Sequence, residues 1–354
     1  MASGQLFYFL GCTLYHRFGS ATHPSKIIPV ASMVVLLASI PLGFVGVLGP
    51  VYAAFWLLQF ASSLFWPPIM AWLTEGTSGN ELGQRISYFN RSWMAALIIA
   101  PPIAGALYRW NPQINFAIIT LAFLVNIVLV SLLKRSYNAN LTRTEHADAH
   151  AEHSESDGKN PSPPMWNKKL DLYRYTAWLS FFCSVVFVGF LITIVPLHIR
   201  DGLGYTESTA GWVLLLRCVA GFVAFALLAK FTAWHFNFRW FFIQKATLAL
   251  CALLFIIAGS NIHFYFGIVI IYGLVNAACN TSSVFYSRAT GKNPKKNIAL
   301  HEMFLCLGTA VGTAGGGLLY QHFGFIGVCF ALLLLSIGAA GFVFFIQKRR
   351  ESYA

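Results

Sequence analysis

Long unbroken apolar runs alternate with short polar turns along this chain, on either side of one extended polar stretch at 134–171. Before that stretch the runs cover about 27–47, 50–73, 88–109 and 114–133. After it they cover about 173–196, 208–232, 237–258, 262–286, 299–321 and 325–347. Each approaches the ~20 residues a helix needs to cross a hydrocarbon core. The runs are continuously apolar rather than alternating, which predicts helices and not barrel strands. A further apolar segment, Gly4 to Tyr15, is short for a span. The pattern therefore predicts an all-α, polytopic membrane bundle of about eleven helices.

The polar stretch is rich in Asp, Glu, Ser, Asn, Lys and Pro, which bury too little surface to offset chain entropy. It reads as a disordered cytoplasmic linker, dividing the chain into bundles at 1–133 and 173–354 around a connection at 134–172. The halves repeat each other. Gly79 falls on Gly291, Gly105 on Gly317 and Tyr108 on Tyr320, each 212 positions apart, and Arg17-Phe18 falls on Lys230-Phe231. Basic loops recur in the same places, so the repeat is parallel. The counterpart of the 173–196 helix would precede Met1. This points to a start placed too far downstream or a truncated gene, the alternative being a natural eleven-helix form.

The net charge of +12 raises the possibility of a nucleic-acid partner, but its placement argues against one. Only 10% of residues are charged, against about 25% in soluble domains. The cations cluster in the segments at one side, including Arg17, Lys26, Arg85, Lys230, Arg239, Lys295 and Lys348, while Arg109 and Arg200 stand on the other. By the positive-inside bias, linker and C-terminus are cytoplasmic and 200–207 is outside. The seven cysteines lie in apolar runs without metal-ligand spacing and read as packed free thiols. There is no signal-peptide pattern, and no Walker loop or nucleotide fingerprint, so no cofactor is expected.

Polar residues inside membrane helices are costly and are the first candidates for function. Arg217 lies mid-helix; it either faces a cavity and binds an anionic group, or bonds backbone carbonyls or snorkels. Glu302 reads as the start of its helix. A carboxyl there can couple transport to protons, favour the helix N-terminus, or pair with a cation such as Lys245. Its repeat partner is Asn90, followed by Arg91. Tyr272, Asn276, Asn280 and Ser283 recur on one face of the 262–286 helix, as Gln59, Ser63 and Trp66 do in 50–73. These stripes suit either a solute path or hydrogen bonding between helices. His146, His150 and His153 form a weak metal-site pattern that a solvated linker explains more simply.

Leu14 to Gly19 resembles the loop signature G-x-L-x-D-R-x-G of the major facilitator superfamily. Arg17 and Gly19 match, His16 stands where the Asp is expected and Cys12 where the first Gly is. Ala96, Ala100, Pro101, Ala104 and Gly105 stand at the places of the family's G-x-x-x-G-P-x-x-G-G helix. Gly308, Gly312, Thr313, Gly316 and Gly317 hold the same register in the eleventh helix. Leu203 to Glu207 looks like the outer loop before the family's eighth helix. The two parallel halves also match its plan. The resemblance implies that 50–73 and 262–286 line a central cavity. It implies a gating role for the loop at Arg17, in which His16 departs from the pattern, and an association of the glycine pattern with antiporters. It implies a secondary active transporter of the inner or plasma membrane. Such a protein would move a small solute, anionic or drug-like, by alternating access, with a proton or ion as candidate coupling partner. It would work in the lipid bilayer as a monomer, with no nucleic acid and no enzymatic step. The alternative is a transport-inactive fragment, receptor or scaffold of the same fold.

Overall fold

The computed structural model describes residues 2–42, 48–151, 168–290 and 293–351. Among these every regular element is helical. The first half of the chain forms α1 (Ala2–Arg17), α2 (Pro24–Leu42), α3 (Leu48–Ser63), α4 (Trp66–Leu73), α5 (Gly79–Trp110) and α6 (Pro112–Ala151). The second forms α7 (Lys168–Leu197), α8 (Glu207–Lys230), α9 (Arg239–Ala258), α10 (Ile262–Ala289), α11 (Pro294–Ala310) and α12 (Gly316–Glu351). Among the described residues seven stretches are long and apolar enough to cross a membrane. One, Pro294–Lys348, has 55 residues, far beyond a single crossing. It is broken at Gly324, whose φ of 65° favours a residue without Cβ. The protein is thus an all-α, multi-pass membrane bundle.

Four boundaries differ from the sequence reading, each for a local reason. The run at 50–73 is two helices, because Pro67 and Pro68 lack the N–H groups that would continue α3. Asn293 caps α11 by accepting from the Lys296 backbone N–H, and Pro294 occupies its first turn. The helix therefore begins before Ala299, and Glu302 lies about 12 Å inside it rather than at its start. That removes the helix-terminus reading of this carboxyl. Likewise α5 begins at Gly79 and not near 88. Finally, α6 stays helical through 134–151, the first part of the expected linker, where Ala, Arg and Glu are strong helix formers. Of the rest of that linker, 168–172 form the first turns of α7, and 152–167 lie outside the described residues, as do 43–47, the end of the expected 27–47 helix.

The core of the second half is built around α7, most of whose apolar span is buried. Phe187, Phe190, Leu191 and Val195 are fully enclosed, with Phe255, Tyr265, Tyr272 and Cys329 around them. The backbones of α7 and α11 touch. A Cβ added to Gly189 would stand 2.5 Å from Thr309 O and 2.7 Å from Thr313 N, and one on Gly312 would meet Val186 O. The small residues of the eleventh-helix pattern thus serve close packing at Gly308 and Gly312. A Cβ on Gly317 would meet nothing within 4 Å, and the same holds for Gly105 in the first half. All seven cysteines are buried free thiols.

Candidate functional site

The two halves meet along α1 against α11 and α5 against α8. At the end that carries the linker, polar bonds join them. Arg288 donates from Nε to Thr74 O at 3.0 Å, and Lys295 Nζ lies 4.0 Å from Glu75 Oε1. Ser87 Oγ donates to Phe225 O at 2.6 Å. Asn90 Nδ2 donates to Asn280 Oδ1 at 3.3 Å, while Asn90 Oδ1 accepts from Trp93 Nε1. The linker belongs to this end because Arg174, in the first turns of α7, pairs with Asp171 at 3.0 Å and donates to Thr290 O, just past α10. At the other end α5 is largely exposed from Ile99 to Ala106.

Between these ends, where α1 crosses α11, Tyr8 donates from its hydroxyl to Glu302 Oε2 at 3.0 Å. Both residues are 7% exposed, enclosed with Cys12 and Cys306. Trp66, Phe9 and Met303 pack against this cluster, and Trp66 meets Phe65 and Phe89 edge-on. Lys245, one candidate partner for Glu302, is elsewhere. It is fully buried on α9 beside Cys183 and Cys279, with no acceptor for its Nζ among the described residues.

The stripe on α10 turns into its own half. Tyr272 donates to Ser184 O at 2.7 Å, Asn276 Nδ2 to Ser184 Oγ at 2.8 Å, and Ser283 Oγ lies 2.7 Å from His301 Nδ1. Of the four, Asn280 reaches the other half. The stripe on the first half is split by the α3–α4 break. Ser63 is fully buried and donates to Phe60 O, and Gln59 is half-buried near Gly4 of α1. Trp66 begins a different helix and is the one of the three at the seam. Arg217 is half-buried on α8. Among the described residues its Nη2 reaches only Cys218 Sγ, at 3.5 Å, and its Nε has no partner. Arg17 is exposed at the end of α1 with its guanidinium over Phe18, and Arg91 lies over Tyr88. No group of three metal-ligating side chains gathers among the described residues. His146 and His150 lie on the helical extension of α6, and His153 lies outside the described residues.

Sequence reasoning missed Tyr8, Thr74, Ser87, Arg288 and Ser184. Tyr8 sits in the segment Gly4 to Tyr15, which is short for a span and carries no charged residue to draw attention to it. Thr74 and Arg288 act through one backbone carbonyl and one loop, which no periodicity marks. Ser180 and Ser184, four apart on α7, did carry a readable signal.

The fold and this seam define a membrane transporter class. The family model for the Major Facilitator Superfamily matches residues 2–296, and the chain belongs to that family. No curated protein sequence matches it. Among solved structures it is similar to a bacterial homologue of the iron transporter ferroportin, crystallised in an outward-facing state with soaked iron. The TM-score is 0.68 at 15% identity, covering 98% of this chain and 88% of that one.

Proposed function

We propose that this protein is a secondary active transporter that moves a small solute by alternating access. It would sit in the cytoplasmic or inner membrane, with linker and C-terminus cytoplasmic. The observation that carries this is the set of bonds closing the two halves at the linker end, beside an α5 left exposed at the far end. With the linker cytoplasmic, this arrangement is outward-facing, the state in which the ferroportin homologue was crystallised. Rocking the halves must exchange the Thr74–Arg288, Glu75–Lys295 and Asn90–Asn280 contacts for contacts at the other end. Spin labels at Ser78 and Lys295 test this. A transported solute should shift their distance distribution toward a longer component by several ångströms. A single short distance under every condition overturns the reading.

Arg217 supports an anionic cargo. A guanidinium stays ionised, and at mid-membrane it costs several kcal/mol unless water or an anion compensates. Its Nε lacks an acceptor among the described residues. Arg217→Gln is expected to reduce uptake of the anionic solute by tenfold or more while leaving expression intact, since buried charge-assisted bonds contribute about 1.5–3 kcal/mol. Arg217→Lys should retain part of the uptake, because a point charge remains without the planar fork. A solute screen in cells expressing the parent and both variants reads this out. Uptake by Arg217→Gln at the parental rate removes the assignment.

A further inference from the structure

The connection between α8 and α9, 231–238, holds the one non-glycine residue with a left-handed backbone among the described residues, Phe236 at φ 53°. A Cβ makes that conformation costly, and it persists only where the surroundings over-determine it. Both polar backbone groups of Phe236 are taken up by tyrosines. Its N–H donates to the Tyr286 hydroxyl at 2.8 Å, and its carbonyl accepts from the Tyr173 hydroxyl at 2.6 Å. The Tyr286 hydroxyl in turn donates to Trp234 O at 3.3 Å. The two tyrosine rings stack with centroids 5.5 Å apart, and the Phe236 ring meets each of them edge-on. Tyr173 belongs to α7 and Tyr286 to the end of α10, so the strained turn is held from within the second half.

What this turn presents is a contact with the first half. Trp234 packs in an apolar cluster that also contains Met70, Leu82 and Ile86. His235 stacks on Phe285 at 4.3 Å and faces the first turns of α5, where a Cβ on Gly83 would stand 3.7 Å from its Nε2. That Nε2 is buried and has no hydrogen-bond partner among the described residues. An unpaired buried polar atom is costly, as the strained backbone next to it is. Phe236 itself is 43% exposed, so the turn is not there to bury its ring. Two unfavourable features thus stand side by side where the halves touch at the linker end, and strain of this kind collects at switch elements.

We infer that the 231–238 loop is a strained latch of the transport cycle, with Tyr173 and Tyr286 as its positioning residues. The inference rests on the alternating-access reading above. With the halves closed at the linker end, α5 supports Trp234 and His235, and the tyrosines hold Phe236 in its left-handed turn. When α5 withdraws, that support is lost, the tyrosine bonds part and Phe236 relaxes to an ordinary negative φ. The strain lowers the free energy needed to open this end, and the tyrosine bonds raise it. Substitutions a few ångströms apart in one loop therefore act in opposite directions on the same equilibrium.

The test uses the full-length chain in lipid nanodiscs, without added solute, carrying the Ser78 and Lys295 spin labels. The ratio of the long to the short distance component is read for each variant. Phe236→Ala and Phe236→Gly both lack the ring, and of the two only Ala keeps the strain. The ratio for Phe236→Gly should be about fivefold lower than for Phe236→Ala. Phe236→Asn, whose side chain tolerates the left-handed region, should also fall below the parent, and it serves if the Ala variant is not recovered. Tyr286→Phe should raise the ratio about fivefold above the parent, because the closed state alone loses the bonds. A purely structural role would lower Tm and leave the ratio where it was. Equal ratios for Ala and Gly, or parental ratios in Phe236→Asn or Tyr286→Phe, would overturn the latch and leave alternating access in place. A single short distance in the parent and in every variant would overturn both.

Discussion

Gly189→Val should prevent the second half from reaching its folded, thermally stable state. The position allows no side chain, since any Cβ meets Thr309 O at 2.5 Å and Thr313 N at 2.7 Å, and both belong to backbone. Backbone of a packed helix cannot swing aside as a flexible side chain can. Overpacking of this kind costs about 1–3 kcal/mol for a small addition, and a branched residue at a backbone contact belongs at or above the top of that range. Gly312→Ala should act in the same direction, because its Cβ would meet Val186 O on the facing helix. Gly105→Ala is the control, with open space around it. Fluorescence-detected gel filtration of heated membranes extracted in detergent measures this. A Gly189→Val protein that melts with the parent would show that α7 and α11 do not cross at this point.

We propose that Glu302 couples transport to protons, so that Glu302→Gln should abolish the stimulation of transport by a proton gradient and leave downhill exchange of solute in place. Glu302 is the carboxyl at the crossing of α1 and α11, and it is held by Tyr8 from the other half. While it accepts from Tyr8 the halves are bonded at mid-depth. A proton on the carboxyl weakens its acceptance of that bond and so changes the free energy of separating the halves, which is what coupling requires. Gln keeps an acceptor oxygen but cannot gain or lose a proton, so the link to the gradient is cut. Bonds to charged groups are worth roughly 1.5–3 kcal/mol, which corresponds to tenfold or more in gradient-driven accumulation. Tyr8→Phe should weaken coupling less, because Glu302 can still titrate. Proteoliposomes with an imposed pH gradient provide the measurement. Full gradient-driven uptake by Glu302→Gln would assign this pair to structure alone.

The membrane-bundle class and the places of most helices follow from the apolar runs alone, because a chain in hydrocarbon must satisfy its backbone within each segment. The break near Gly324 and the small-residue register of the eleventh helix were legible for the same reason: Gly is a local signal. The α3–α4 break at Pro67-Pro68 and the early start of α11 at Asn293-Pro294 were written in the sequence too, but the apolar runs around them masked the signal. What a polar residue on a helix faces was not legible. Spacing put Tyr272, Asn276 and Ser283 on one face of α10, yet could not say whether that face meets a solute path or a neighbouring helix. The fold turns those residues onto Ser184 and His301 within their own half and leaves Asn280 to reach Asn90. Glu302 was conspicuous as an intramembrane carboxyl, but its partner is Tyr8, 294 positions away. Lys245, one candidate partner, is buried elsewhere. Periodicity is a property of one helix and can be read from one segment. A partner is a property of two helices brought together from distant parts of the chain, and only the tertiary packing decides it.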